Sequence, residues 1–135
     1  MTPAEAQVLL SMASAFDNRK PDADAARAWS AALDGLRFDD CRDALIEHYK
    51  TSTDYLMPVL IRTAVRRIRA KRIAEAGPLT PPPNLSPVET CRWLAGARSA
   101  VGDGMSADEV TTTHGGELRP RDLSELRALP AVPDA

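Results

Sequence analysis

The first part of the chain repeats apolar residues with the period of an α-helix. Four such segments occur before residue 77, each with apolar side chains three or four positions apart. The buried stripes that they predict are Val8, Leu9, Met12 and Phe16; Ala25, Trp29, Ala32, Leu33 and Leu36; Cys41, Ala44, Leu45, His48 and Tyr49; and Leu60, Ile61, Ala64, Val65 and Ile68. The polar connections are short, as is typical of helices that pack on their sequence neighbours. Residues 1–76 are therefore predicted to form a compact four-helix domain.

Residues that favour helix ends stand at the boundaries of these segments. Thr2 and Glu5 have the spacing of a capping box, and the first helix is expected over residues 3–17. Pro58 and Gly77 stand where the fourth helix is predicted to begin and end. The aspartates at the expected starts of the second and third helices are Asp22 or Asp24 and Asp39 or Asp40. Stripes and boundaries together indicate an all-α fold.

Proline and glycine become frequent after the fourth helix. Residues 77–86 contain three adjacent prolines and are predicted to form an extended linker. Ser86 opens a second capping-box pattern, so a short fifth helix is expected over residues 87–99. Residues 100–135 mix Gly, Ser, Thr and charge without a period, and they are predicted to be a mostly disordered tail.

Composition agrees with one small helical core. Of 135 residues, 44% are hydrophobic but only 4% are aromatic, which favours helices over a β-sandwich. No apolar stretch approaches the length of a membrane span, and no secretory signal pattern is present, so a cytoplasmic protein without membrane contact is expected. Cys41 and Cys91 are expected to be reduced, buried thiols.

Positive charge is concentrated on the predicted fourth helix. The six cations, with no acid between residues 55 and 74, are Arg62, Arg66, Arg67, Arg69, Lys71 and Arg72. On a helical wheel Arg62, Arg66 and Arg69 fall on one side, beside the apolar stripe. One interpretation is a surface for nucleic-acid phosphate or for an acidic protein. The other is a solvated face paired with acids of the third helix, namely Asp39, Asp40, Asp43 or Glu47.

Sequence motifs for catalysis do not occur. The chain has no phosphate-binding Gly-rich loop, no nucleophile elbow and no Cys or His pair at metal-ligand spacing. His48 lies on an apolar helix face and is predicted to be a core histidine, since no nucleophile stands near it. No catalytic residue, metal or cofactor is therefore expected.

Three apolar residues of the second half are candidate anchors for a partner. Trp93 falls about 60° from the stripe of Val88, Cys91 and Leu94, so it is expected either to pack back on the domain or to anchor a partner protein. Leu123 and Leu126 recur at a three-residue interval near the end of the chain. Too few residues surround them for a stable isolated helix.

Residues 3–75 resemble small helical phage proteins that load a replicative DNA helicase and inhibit it when alone. The resemblance lies in Trp29-x3-Leu33 on one helix, Ala44-Leu45 to Tyr49 on the next, and Thr51 to Pro58-x2-Ile61 opening a basic helix. It implies a helical N-terminal domain, a mobile C-terminal segment, no ATPase activity and a helicase as partner. This chain departs from the family in its Pro-rich joint and Gly-rich tail.

Two functions follow as hypotheses. The first is a non-catalytic phage or prophage replication accessory protein that binds a replicative helicase or another replication protein, as loader or inhibitor. The alternative is a helical DNA-binding regulator in which the third and fourth helices form a helix-turn-helix, with Arg62, Arg66 and Arg69 on phosphate.

Overall fold

The computed structural model describes residues 1–112, and these form six α-helices and no β-strand. The helices are α1 (Pro3–Asp17), α2 (Ala23–Ala32), α3 (Phe38–Thr51), α4 (Pro58–Ala76), α5 (Pro87–Gly102) and α6 (Ala107–Thr112). The predicted all-α fold class is confirmed, and α1 and α4 have the predicted bounds. The predicted tail from residue 113 onward lies outside the described residues.

The chain divides into two compact units. Unit 1 is Met1–Ile68 and unit 2 begins at Arg69, so the division falls inside α4. This differs from the predicted domain boundary at residue 76. The reason is that Ile73 and Ala76, near the end of α4, pack against the core of unit 2.

Unit 1 has one hydrophobic core, to which α1, α2, α3 and the start of α4 contribute. Its buried residues are Ala6, Leu9, Leu10, Ala13, Ala26, Trp29, Leu33, Cys41, Ala44, Leu45, Leu56, Ile61 and Val65. Full burial of a leucine or isoleucine side chain contributes about 2 kcal/mol, so these residues supply most of the stability of unit 1. Most residues of the predicted stripes of α3 and α4 lie in this core or pack against it. The exceptions are Leu60, which is exposed, and His48, which was predicted to be a core histidine but is half-buried and lies outside the core.

The face that α1 turns to the core differs from the predicted one. Leu9 is buried as predicted, but Val8 and Phe16 are 48% and 57% exposed. Ala6 and Ala13 are fully buried instead. Because alanine is small, it lets a neighbouring helix approach closely. The prediction relied on large apolar residues and therefore missed these two alanines.

Side-chain caps explain where several helices start. The capping box of Thr2 and Glu5 forms, and the Asp22 side chain accepts the amide of Ala25. α3 is different, because it begins at Phe38 and its N-cap, Arg37, makes no side-chain hydrogen bond. Gly77 follows α4 with φ of 69°, the left-handed conformation expected at that position.

Unit 2 is more helical than predicted. α5 continues to Gly102, and α6 forms inside the segment that was predicted to be disordered. The hydrophobic core of unit 2 is formed by the buried residues Trp93, Ala97, Val101 and Val110. α6 begins with a capping box of Ser106 and Glu109, and Val110, fully buried, attaches it to the core.

Candidate partner-binding surface

Large apolar side chains are exposed where the loop after α3 leads into α4. Tyr55, Met57, Val59 and Leu60 lie within six consecutive residues and are 55%, 48%, 66% and 39% exposed. We call these four residues the apolar surface. Leu56, in their midst, is buried at 1% exposure. Grouped exposed apolar residues are characteristic of sites where another molecule binds.

The loop that carries part of the apolar surface is fixed by hydrogen bonds. The His48 ring nitrogen Nε2 lies 2.7 Å from the carbonyl oxygen of Asp54 and donates to it. The Ser52 hydroxyl accepts the Asp54 amide at 3.0 Å. The carbonyl of Leu56 accepts from the Arg19 guanidinium at 2.9 Å. With its backbone held and Leu56 buried, the loop keeps Tyr55 outside the core.

Arg19 lies at the centre of a cluster that supports this loop. Its Nε donates to Asp17 Oδ1 at 2.8 Å, and a second guanidinium nitrogen also pairs with the same carboxylate. The Tyr49 hydroxyl donates to Asp17 as well. The guanidinium carbon of Arg19 lies 5.0 Å from the ring centre of Trp29 and 4.1 Å from that of Tyr55, within the range of cation–π attraction. We call these five residues the Arg19 cluster.

The pKa values in the Arg19 cluster follow from its contacts. Hydrogen bonding to Arg19, followed by that to Tyr49, lowers the pKa of Asp17 to about 2. Burial and the neighbouring Asp17 raise the pKa of Tyr49. Asp17 is therefore ionised at neutral pH, and its charge is matched by Arg19.

The local sequence explains how Arg19 reaches this position. Asn18 ends α1 in the left-handed conformation, with φ of 56°, and asparagine tolerates this conformation better than most residues. The chain therefore turns sharply after α1, and Arg19 reaches back to Asp17. Phe16, the residue before Asp17, stacks on Tyr49 with ring centres 4.6 Å apart. Its own side chain is 57% exposed. An exposed aromatic ring thus lies directly on the Arg19 cluster.

Four of the six predicted basic site residues have partners within their own unit. Arg62 donates to the carbonyl oxygens of Ala32 and Asp34 at 2.9 and 3.3 Å, at the C-terminal end of α2. Basic groups at this end of a helix satisfy its unpaired carbonyls. Arg62 therefore has a structural role in unit 1.

The other engaged cations belong to unit 2. Arg69 is 8% exposed and forms an ion pair with Asp103, and Arg72 donates to the carbonyl of Gly102 at 2.9 Å. Lys71 is exposed and lies 3.7 Å from Glu75. Arg62 and Arg69 therefore do not form an open basic face with Arg66, which corrects the prediction from the helical wheel.

Arg66 and Arg67 are the exception. Both are exposed, and neither makes a hydrogen bond or an ion pair with any residue in the described range 1–112. Three of the four acids of α3 that were predicted to pair with the basic helix pair within α3 instead, Glu47 with Lys50. Asp39 and Asp43 pair with Arg42 of their own helix. Two adjacent cations therefore remain open to solvent.

The candidate anchor Trp93 is not exposed. Its side chain is 1% exposed and lies inside the core of unit 2. The predicted alternative, that Trp93 anchors a partner protein, is therefore wrong. The spacing of Trp93, Ala97 and Val101, four residues apart, sets the buried face of α5, whereas Val88 of the predicted stripe is 67% exposed. Leu123 and Leu126 lie outside the described residues.

Cys41 and His48 are both engaged in the structure of unit 1. Cys41 is buried, and burial raises the pKa of its thiol to about 12, so it stays protonated at neutral pH. His48 is committed to its contact with the loop. Among residues 1–112 no three His, Cys, Asp or Glu side chains gather as metal ligands. None of the described helices has the length and apolar character to cross a membrane.

Comparison with known proteins adds no family. A scan against protein-family models and searches of curated proteins and of solved structures found no match to the chain.

Neither Arg19 nor the apolar surface was predicted from the sequence. An arginine directly after Asp-Asn at a helix end was a usable signal, because such a turn brings the side chain back across the helix terminus. The exposure of Tyr55 and Met57 had no comparable signal. It depends on which residue of the loop enters the core.

Proposed function

We propose that this chain is a non-catalytic protein of phage or prophage type that binds a replicative helicase in the host cytoplasm, as a loader or an inhibitor. The single observation that carries the proposal is the apolar surface on unit 1. Four large apolar side chains are exposed on backbone held by hydrogen bonds and by the buried Leu56. A preformed apolar surface binds a protein with a small loss of conformational entropy. The resemblance of residues 3–75 supplies the kind of partner.

The alternative, a DNA-binding regulator, has less support. The loop between Thr51 and Pro58 has six residues, longer than the three- or four-residue turn of a helix-turn-helix. Four of the six predicted phosphate contacts have partners within the protein. Apolar side chains such as Val59 also have no counterpart in a phosphate backbone.

The test is retention of a replicative helicase from the native host or phage by the full-length tagged protein. We expect a complex in size exclusion at tens of micromolar, and we expect Val59→Asp to weaken it about tenfold or more, as loss of an interface anchor does. Val8→Asp is the matched control, because Val8 is an exposed valine of unit 1 on another helix. If the unmodified protein forms no complex, the proposed function is wrong.

A further inference from the structure

The exposed side of α4 within unit 1 is apolar at one end and basic at the other. Val59, Leu60, Thr63, Arg66 and Arg67 all fall within a sector of about 120° at 100° per residue. All five are exposed, whereas Ile61 and Val65 on the opposite side are buried. We call this set the α4 face.

The charge of the α4 face is not balanced by its surroundings. Arg66 and Arg67 have no hydrogen-bonding or ionic partner among residues 1–112, and α4 carries no acid before Glu75. The Thr63 hydroxyl donates to the carbonyl oxygen of Val59 at 2.9 Å. Two adjacent cations that repel each other bind an anion favourably.

The distance between the apolar and the basic residues of the α4 face limits which kind of protein segment can bind to it. Val59 and Arg66 are seven residues apart, which is two helical turns and about 10 Å. A partner helix can match this spacing, because its residues i and i+7 also lie on one side and about 10 Å apart. An apolar residue at one of these positions and an acidic residue at the other would meet Val59 and Arg66. Rows of side chains on a helix also fit the grooves of another helix, and no strand edge is available for pairing among the described residues.

We propose that the α4 face binds an acidic amphipathic helix of the protein partner, with apolar side chains on Val59 and Leu60 and carboxylates on Arg66 and Arg67. This inference rests on the proposed function for the identity of the partner and adds the chemistry of the bound segment. A carboxylate accepts the paired N–H groups of a guanidinium in a bidentate contact. Burial of the neighbouring apolar residues strengthens that contact by removing water.

A protein segment suits the α4 face better than a nucleic acid does. Residues 1–68 carry ten acidic and nine basic side chains, a formal net charge of −1, so unit 1 has no positive surplus for a polyanion. Val59 and Leu60 gain nothing from a sugar-phosphate backbone. They do gain from apolar residues on a helix.

The probe is a fluorescein-labelled synthetic helix of about 18 residues, with a leucine stripe and two adjacent glutamates two turns from its central leucine. A matched peptide carries lysines in place of those glutamates. In fluorescence anisotropy with the full-length protein, we expect the glutamate peptide to bind about tenfold tighter. We also expect its affinity to fall between about 50 and 200 mM salt.

Reversing the charge of Arg66 and Arg67 tests whether these two residues determine which peptide is preferred. The double variant Arg66→Glu with Arg67→Glu is expected to prefer the lysine peptide. The double variant Arg27→Glu with Lys50→Glu makes the same charge change at exposed residues of α2 and α3, and it is expected to keep the original preference. Equal binding of both peptides to the unmodified protein, or no reversal of preference, overturns the inference. Binding of duplex DNA that is lost in the Arg66/Arg67 variant and is tighter than peptide binding also overturns it.

Failure of this inference and failure of the proposed function give different results. If the helicase is retained by the unmodified protein and equally by the Arg66/Arg67 variant, the helicase function stands and the α4 face is not its contact. If the glutamate peptide binds as expected but no helicase is retained, the α4 face stands and the proposed partner is wrong.

Discussion

Arg19, two residues after the end of α1, connects α1, α2 and the loop before α4. It pairs with Asp17, donates to the backbone of Leu56, and lies between the rings of Trp29 and Tyr55. Its side chain is 6% exposed, so these contacts are largely shielded from water and salt. The position of Tyr55 on the apolar surface therefore depends on a charge pair inside unit 1.

The Asp17–Arg19 pair predicts a specific pH dependence of stability. The folded-state pKa of Asp17, about 2, is below its ordinary value of 3.8, so its contribution is present above pH 4 and is lost as the pH falls from about 4 to 2. At pH 7 we expect Asp17→Asn to lower the unfolding free energy by about 2 kcal/mol, as loss of hydrogen bonds to a charged group does.

The measurement is urea unfolding of both proteins at pH 7, 4, 3 and about 2. The difference between them should shrink steadily below pH 4, since protonated Asp17 no longer attracts Arg19. Asp34→Asn removes an exposed carboxylate that does not contact Arg19 and serves as the control for loss of one charge. A difference that stays constant down to pH 2 contradicts the assignment.

At the scale of elements, side-chain caps mark the starts of α1, α2, α5 and α6. α5 begins at a complete capping box, in which the Ser86 hydroxyl accepts the Glu89 amide and the Glu89 carboxylate accepts the Ser86 amide at 2.8 Å. These hydrogen bonds lower the pKa of Glu89. Pro87 occupies the first position of the helix, where an amide donor would have no intrahelical partner.

Removal of this cap is expected to loosen the start of α5. Ser86→Ala should destabilise the helix by about 1 kcal/mol, the usual cost of a lost N-cap. Amide hydrogen exchange in the first turns of α5 should then be about fivefold faster. Ser11→Ala is the control, since Ser11 is an exposed serine inside α1 and alanine is favoured there. Unchanged exchange in α5 argues that packing alone holds its first turn.

At the scale of the whole molecule, charge is close to balanced. The chain has 17 basic and 19 acidic side chains, and most cations of α4 are occupied within their own unit. Only Arg66 and Arg67 of the six predicted cations lack a partner in the described part of the chain. Balanced charge of this kind favours selective protein contacts over general attraction to nucleic acid.

The prediction for DNA follows from that balance. We expect duplex DNA to bind with a Kd weaker than about 100 µM near physiological salt. At lower salt, a plot of log affinity against log salt should have a slope of about −2, because two arginines are free to meet phosphate. A slope near −5 in a fluorescence titration would instead show that all six cations bind phosphate, and would restore the DNA-binding alternative.

The sequence by itself determined five of the six described helices and several of their ends. Periodicity and caps are local properties, so the bounds of α1 and α4, the box at Thr2 and the box at Ser86 were all readable within a few residues. The short α6 was missed, since six residues carry little periodic signal.

Only the tertiary structure decided which helix faces are buried and which charges are free. Arg62 was predicted as a contact for a partner, yet it caps α2, about 30 residues earlier in the chain. Trp93 lies in a core, while Phe16 and Val59 are exposed. A helical wheel shows which residues share one side of a helix. Whether that side packs on another segment or faces solvent depends on residues far away in the sequence. The predicted candidate site was a basic helix. The structure instead has an apolar surface and, on the same helix, two exposed arginines without a partner among residues 1–112.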